Sequence, residues 1–319
     1  MEGIAIIILA AGKGTRMKSE MVKVLHPILG APMLSYSIGL SLNGIQAEKT
    51  IVVVGYQADQ IIERFKNPRI QFALQKEQLG TGHAALQAIP FLKAFTGTAL
   101  ILCGDVPLVR ADTLRSFIGA FAESSSILAV LTTVVVEPFG YGRILRSPEG
   151  WLEKIVEEKD ASENERSIRE INTGIYCVKV SFLTEGLGEI GKDNAQSEYY
   201  LTDLVGIARK KGLRCSAHVV SDPVEVMGIN TRVDLAVQRP YCRFGIPFLV
   251  IELNRLFRFD NVPILVLYGS SRHPEGAQPP SLLDTRRMKP LDGLPPHENL
   301  NFSVQAVDIY APSGYILRS

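Results

Sequence analysis

The feature that most constrains the fold is an apolar run near the N-terminus that ends in a glycine turn. Residues 4–8 are all apolar and mostly β-branched, with no polar residue between them. Such a run is typical of a strand buried on both faces, which predicts a central strand of a parallel sheet. Gly12 and Gly14 follow, and they lack the Cβ atoms that would keep an anion away from the backbone N–H groups. With the cations Arg16 and Lys23 close behind, the turn predicts a site for several phosphates.

Two common phosphate-binding motifs do not fit this turn. A P-loop needs G-x-x-x-x-G-K-[ST], but Gly12 and Gly14 are only two positions apart. A dinucleotide fingerprint needs a third glycine where Met17 stands. The remaining pattern, L-A-A-G-x-G-T-R-M over residues 9–17 followed by Lys23, resembles the signature of sugar-nucleotide pyrophosphorylases. The alternative interpretation is a glycine-rich turn with solvated basic residues.

Strand-like and helix-like patterns alternate along the first half of the chain. Apolar runs at residues 50–56, 71–74, 99–103 and 127–136 are separated by helical patterns, one of which Asp112 is expected to cap. This alternation predicts an α/β fold with a doubly wound, mostly parallel sheet, and the resemblance implies that the fold is of the Rossmann-like nucleotidyltransferase kind. Ligands of such sheets bind beyond the carboxyl ends of the strands, where the glycine turn and Asp105 both fall. Residues 140–158 predict a small β-rich insertion, and residues 198–211 predict one amphipathic helix.

Charge and cysteine content narrow the possible partners and location. The net charge of +1 gives no reason to expect nucleic acid or an anionic membrane as a partner. The N-terminal apolar run lacks the basic region of a signal peptide, and no stretch reaches the ~18–20 apolar residues of a membrane span. The four cysteines form no C-x-x-C pair, which favours free thiols in a reducing compartment. We therefore expect a cytoplasmic protein.

Composition changes after residue 239. Eight prolines occur in residues 1–239, whereas ten occur in residues 240–319. The helix that begins near residue 231 is expected to end at Pro240. These shifts predict a boundary near residue 239, followed by an atypical Pro-rich tail over 240–319. The resemblance implies that residues 1–239 form a nucleotidyltransferase (pyrophosphorylase) domain. The tail is expected to be partly irregular or disordered, especially over residues 269–298.

Further motifs narrow the resemblance. The chain closely resembles the N-terminal uridylyltransferase domain of bacterial bifunctional N-acetylglucosamine-1-phosphate uridylyltransferase/glucosamine-1-phosphate acetyltransferase, over about residues 4–239. The motifs that carry it occur in order: Gln75, Gly80-Thr81, Gly104-Asp105, Gly140-Tyr141-Gly142, Val156-Glu157-Glu158-Lys159-Asp160, Glu170-Ile171-Asn172-Thr173-Gly174 and Asn230. The resemblance implies in-line transfer of UMP from UTP to N-acetylglucosamine 1-phosphate, assisted by Mg²⁺. The products would be pyrophosphate and UDP-N-acetylglucosamine, a precursor for cell wall biosynthesis. Catalysis would consist of positioning and charge stabilisation, without a covalent nucleophile.

The same resemblance implies a role for individual residues. Arg16 and Lys23 would be catalytic, and Asp105 with Asn230 would bind the metal. The nucleotide-binding set would be Leu9, Ala10, Ala11, Gly12, Gln75, Gly80, Thr81 and Gly104, and the sugar-binding set would be Gly142, Glu157, Asn172 and Asn230. His83 is expected to be structural or to support a neighbour. The alternative interpretations remain open, namely that Glu157 is one more solvated charge and that Asn230 is a turn residue.

The chain also departs from the family pattern. Val22 stands where members usually have proline, which should loosen the segment that holds Lys23. No hexapeptide repeat follows residue 239, so we expect no hexapeptide β-helix and no acetyltransferase activity, and the oligomeric state stays open. Two alternative functions remain. Beside the transfer of UMP to N-acetylglucosamine 1-phosphate, the chain could be another sugar-1-phosphate nucleotidyltransferase of the same fold, or a non-catalytic protein that binds sugar nucleotides.

Overall fold

The computed structural model of the chain describes residues 3–244, 249–252 and 265–268. Internal contacts divide the chain into two units, Met1–Gly245 and Ile246–Ser319. In the second unit, the described residues form two short strands that pair antiparallel. The loop or disorder predicted for residues 269–298 lies outside the described residues.

Strands and helices alternate through the first unit. Its strands are β1 Gly3–Ala10, β2 Pro27–Ile28, β3 Ala31–Pro32, β4 Lys49–Val54, β5 Ile70–Leu74, β6 Gly97–Cys103, β7 Leu128–Val134, β8 Arg143–Arg146, β9 Leu152–Val156, β10 Glu170–Lys179 and β11 Cys215–Val220. Its helices are α1 Met33–Gly39, α2 Ala58–Arg64, α3 Thr81–Ala88, α4 Ala111–Glu123, α5 Glu163–Arg166, α6 Val180–Gly186, α7 Asp203–Lys210 and α8 Arg232–Phe244. The second unit contributes β12 Leu249–Glu252 and β13 Leu265–Tyr268. Helices α4 and α8, with 13 residues each, are far shorter than a membrane span, and no helix in the described ranges qualifies as one.

The main sheet has nine strands, and β1 lies in its interior. The strand order is β11-β7-β10-β6-β1-β4-β5, and the β8–β9 hairpin joins the sheet through β10. β1 pairs in parallel with both β4 and β6, so that Ile7 faces Ile51 on one side and Ile101 on the other. β10 runs antiparallel to β6 and β7. The predicted doubly wound, mostly parallel sheet with a small β-rich insertion is confirmed.

Successive residues of β1 belong to two separate cores. Ile7 packs in a layer with α3, α6 and α7, whereas Ile6 and Ile8 pack in a layer with α1, α2 and α4. All three isoleucines are fully buried. Helices therefore cover both faces of the sheet, and this explains why the strand shows no polar alternation.

Three local predictions were wrong. The helix expected over residues 198–211 begins only at Asp203, because the backbone of Tyr199 instead donates to Leu79 and accepts from Gly82, on either side of the start of α3. Asp112 lies in the first turn of α4, where a negative charge suits the helix dipole, and Arg110 occupies the cap position. The helix expected to end at Pro240 continues to Phe244, since a proline removes one helical hydrogen bond and leaves those on either side.

Candidate functional site

The glycine turn leaves β1 at its carboxyl end and runs beside the segment that carries Lys23. Gly14 adopts φ = +62°, a left-handed conformation that favours glycine. A Cβ at Gly14 would overlap the Cβ of Lys23. The missing side chain therefore allows the two segments to touch. Gly104, at the end of β6, donates its backbone N–H to the carbonyl of Leu9 at 2.9 Å and so joins the ends of the two strands.

Four predicted site residues form one hydrogen-bonded group, which we call the Asp105 cluster: Arg16, Lys23, Asp105 and Asn230. The Lys23 ammonium donates to Asp105 Oδ2 and, at 2.8 Å, to Asn230 Oδ1. Arg16 Nη2 donates to the same Asn230 oxygen at 2.8 Å. Two cations therefore share one amide oxygen, and only one carboxylate lies among them. This excess of positive charge suits a ligand that carries several negative charges.

The loop before α8 holds Asn230 in the Asp105 cluster. The backbone N–H of Ile229 donates to the carbonyl of Asp105 at 2.9 Å. The Asp234 carboxylate accepts from the backbone N–H groups of Asn230 and Thr231, each at 2.8 Å. Arg232 donates to the carbonyl oxygens that follow Arg16 along the chain, at positions 17 and 18, at 3.1 Å each. Segments from near the beginning and near the end of the first unit therefore meet at this cluster.

The predicted base-binding residues lie between the end of β5 and the start of α3. Gln75 follows β5, and a Cβ at the neighbouring Gly55 would come within 2.9 Å of the carbonyl oxygens of both Ala11 and Gln75. Gly80 has φ = +113° and lies against the backbone of Tyr199, which leaves no room for a side chain. The Thr81 hydroxyl accepts from the backbone N–H of Leu201 at 3.0 Å. The start of α3 is therefore fixed against the residues that precede α7.

The predicted sugar-binding residues form a second group. A Cβ at Gly142 would stand 3.5 Å from both Asn172 Cβ and Glu157 Cδ, so the three residues adjoin. Asn172 Oδ1 accepts from the backbone N–H of Gly174 at 3.0 Å and from the Tyr176 hydroxyl at 3.1 Å. Within residues 3–238, no partner is found for the Asn172 amide nitrogen, which leaves a donor for a ligand.

Electrostatics single out Glu157 within this group. Burial raises the pKa of its carboxyl, and the nearby Asp160 and Asp203 raise that pKa further. The Thr202 hydroxyl donates to Glu157 Oε1 at 3.3 Å and partly offsets this effect. A half-buried carboxylate with one hydroxyl partner retains acceptor capacity for sugar hydroxyl groups.

Cys103 and Tyr141 connect the sugar group to the Asp105 cluster. The Cys103 thiol contacts the Gly174 carbonyl at 3.5 Å, and burial together with the adjacent Asp105 charge raises its pKa to about 12. Burial and the charges of Asp234 and Asp105 raise the pKa of Tyr141 to about 12 as well. Sequence reasoning assigned no role to Tyr141, although it lies within a recognised motif. It also missed Thr202, because the surrounding pattern suggested a helix.

The oxygen atoms of the Asp105 cluster suit a metal ion. Within the described ranges, no group of three or more histidine, cysteine or acidic side chains is suitable for binding a metal. Asp105 Oδ2 and Asn230 Oδ1 nevertheless converge on a single cation, the Lys23 ammonium. Carboxylate and amide oxygens are ligands that hard divalent cations accept, and substrate oxygens and water usually complete their shell. The two residues therefore fit a metal that is held jointly with a ligand.

Comparison with known proteins identifies the family. Residues 6–171 match the model of the MobA-like NTP transferase domain. The chain is 51% identical to the bifunctional protein GlmU of Geobacter metallireducens over 83% of this chain and 54% of that protein. It is 52% identical to the GlmU of Geobacter sulfurreducens over 76% of this chain and 51% of that protein. The chain thus spans about half the length of the curated relatives it matches.

These matches confirm the resemblance to the N-terminal domain of the bifunctional proteins. The first of them covers 266 residues, so the similarity extends past residue 239, further than the motifs indicated. A crystal structure described as a glucose-1-phosphate thymidylyltransferase from Bacillus anthracis has a TM-score of 0.61 and 18% identity, over 76% of this chain and 96% of that one. It has the same fold. The family model covers more than half of the chain and includes the glycine turn and Asp105, so this chain belongs to the MobA-like NTP transferase family.

Proposed function

We propose that this chain transfers UMP from UTP to N-acetylglucosamine 1-phosphate, giving UDP-N-acetylglucosamine and pyrophosphate. The observation that carries the proposal is the Asp105 cluster, in which Arg16 and Lys23 meet one carboxylate and one amide beside a glycine turn. About 50% identity to the GlmU proteins supports this substrate pair over other sugar phosphates. We place the reaction in the cytoplasm, where its product would supply cell wall biosynthesis.

In the proposed reaction, a phosphate oxygen of the sugar 1-phosphate attacks the α-phosphorus of UTP in line. The new P–O bond forms while the bond to the β-phosphate breaks, and pyrophosphate leaves. Negative charge accumulates on the nonbridging oxygens and on the leaving group, so fixed positive charge stabilises the transition state. Arg16 steadies the departing pyrophosphate, Lys23 steadies the reacting phosphates, and the backbone N–H groups of the glycine turn bind the phosphates of UTP.

A divalent metal ion belongs to this proposal. Nucleotidyltransferases of the family generally use one, and we propose Mg²⁺. Asp105 and Asn230 would hold it, since their oxygens already converge on one cation. When bound, Mg²⁺ neutralises phosphate charge. The protein holds both oxygens in place through the Ile229 and Asp234 contacts.

The remaining predicted residues set substrate choice. Gln75, Gly80 and Thr81 form the base-binding edge of the proposed site, next to the end of β5. Gly142, without a side chain, admits the sugar between Glu157 and Asn172. In the proposed complex, Glu157 accepts from sugar hydroxyl groups and the Asn172 amide nitrogen donates to the acetamido oxygen.

The experiment that tests the proposal measures pyrophosphate release from UTP and N-acetylglucosamine 1-phosphate, with Mg²⁺ and with a chelator. We expect release only with the metal. Arg16→Ala should lower turnover by at least about a hundredfold, the usual loss for a transition-state charge contact. It should leave UDP-N-acetylglucosamine affinity within about threefold, because that product lacks the departed pyrophosphate. Arg115→Ala, which removes an exposed arginine of α4, is the matched control.

Other outcomes would refute the proposal in distinguishable ways. Full turnover in Arg16→Ala would reject the assigned mechanism. Faster release with another sugar phosphate or nucleoside triphosphate would identify a different nucleotidyltransferase of this fold. Tight binding of UDP-sugars without any release would identify a binding protein.

A further inference from the structure

The buried side chain of Gln75 has a defined amide orientation. It is only 3% exposed, and its amide nitrogen lies 3.1 Å from the Gly80 carbonyl oxygen and 3.0 Å from His83 Nδ1. A carbonyl oxygen can only accept, so the end of the amide beside Gly80 must be the nitrogen. The reversed orientation would place the amide oxygen against a second oxygen. Both protons of the Gln75 amide are thus assigned to partners.

This orientation also fixes the role of His83. Because the Gln75 nitrogen only donates, His83 accepts at Nδ1 and carries its ring proton on Nε2. The ring is held by α3 and stacks on Tyr199, with the ring centres 6.0 Å apart. Gln87 donates to the His83 carbonyl at 3.0 Å, one helical turn further on. The His83 ring, which rests against Tyr199, therefore offers an acceptor to Gln75.

The other end of the Gln75 amide is left to the ligand. Within residues 3–238, its Oε1 atom accepts no hydrogen bond and is not fully enclosed by protein atoms, so it retains solvent contact. An oxygen with no proton of its own selects a base that presents an N–H. The uracil edge presents N3–H, whereas cytosine presents an unprotonated N3 acceptor at the same position.

We infer that His83 is a positioning residue for base selection. By accepting the second Gln75 proton, it acts with the Gly80 carbonyl to hold the amide so that only an oxygen faces the base, and this favours uracil over cytosine. Without that acceptor, the Gly80 carbonyl alone holds the amide, and the reversed orientation, which presents a donor and suits cytosine, costs less. The inference rests on the proposed function and adds to it a residue that acts on the base only through Gln75.

The test replaces His83 with phenylalanine, which keeps a ring beside Tyr199 but removes the acceptor. The measured quantity is the ratio of kcat/KM for UTP to kcat/KM for CTP, because this ratio does not depend on the fraction of folded enzyme. We expect it to fall by about tenfold, mostly through slower use of UTP, as a misdirected polar group weakens discrimination. His83→Asn carries an oxygen near the former position of Nδ1 and should restore most of the ratio.

His218→Phe is the matched control, since this histidine lies on β11, packs against Phe117 and should leave the ratio unchanged. An unchanged ratio in His83→Phe would overturn the inference. Calorimetric binding of UTP and CTP, without sugar phosphate, separates this inference from the proposed function. If the wild type binds UTP selectively but releases no pyrophosphate, and His83→Phe loses that selectivity, the inference stands and the proposed reaction fails. If the wild type binds both nucleotides equally, or neither, the inference is wrong.

Discussion

Replacing Gly14 with alanine tests whether the glycine turn positions Lys23. At φ = +62°, an alanine pays roughly 1–2 kcal/mol of backbone strain. Its Cβ would also overlap the Cβ of Lys23, which no side-chain rotation can move. One of the two segments must then shift by about 1 Å, and a misplacement of that size can lower turnover by about a hundredfold.

Gly150→Ala is the control for this experiment. Gly150 has φ = +88°, so alanine is strained there in a similar way, but no atom lies within 4 Å of the added Cβ. Urea titration should show that each variant loses about 1–2 kcal/mol of unfolding free energy, with the larger loss in Gly14→Ala. Pyrophosphate release from UTP and N-acetylglucosamine 1-phosphate should fall about a hundredfold only in Gly14→Ala.

Two results would refute this reasoning. Equal turnover in the two variants, after correction for the folded fraction, would show that contact between the turn and Lys23 is irrelevant to the reaction. A crystal structure of Gly14→Ala with Lys23 still bonded to Asp105 would show that the overlap is relieved without moving the cluster.

Three further changes test other parts of the site. Glu157→Gln removes a carboxyl whose raised pKa makes its ionised form unfavourable in the fold. The variant should therefore melt at a higher temperature than the wild type at pH 8, and at the same temperature at pH 4, where both side chains are neutral. By calorimetry, it should bind the sugar phosphate more weakly. Equal melting at both pH values would contradict this. Arg232→Met removes the hydrogen bonds to the carbonyl oxygens of Met17 and Lys18. It should lower the unfolding free energy by about 1–3 kcal/mol in urea titration and lower turnover about tenfold. An unchanged rate would show that the glycine turn needs no such support. Val22→Pro should raise the unfolding free energy by about 0.4–1 kcal/mol with turnover within about twofold, because φ is already −53°; a loss of stability would show that the segment does not accept proline.

The central sheet was predictable because the burial of its strands is visible directly in their residue types. Ile6, Ile7 and Ile8 are buried on both faces, and an unbroken apolar run has no other stable place in a protein of this size. The position of Asp105 followed from the same logic, since the carboxyl ends of parallel strands lie at one edge. Each of these predictions needed only a short window of sequence.

Contacts between distant segments were not predictable in that way. Nothing in the sequence around Arg16 shows that Asn230 accepts its hydrogen bond. The residues before α7 fit a helical pattern, but Tyr199 uses its backbone groups to hold the start of α3. Thr202 then reaches Glu157 from this extended stretch. In each case, tertiary hydrogen bonds decided the outcome over local propensity, and the resemblance to a family was the only source for the role of Asn230.

The bond from Arg16 to Asn230 spans 214 residues, and this separation sets an order of events during protein synthesis. At about 5–20 residues per second, the ribosome makes the asparagine on the order of ten to forty seconds after the arginine. Strands β1, β4 and β6 are complete long before then, so the nascent chain can collapse around its sheet while its anion-binding edge is still open. We therefore expect an unfinished chain not to bind cellular nucleotides until the loop that carries Asn230 has left the ribosome.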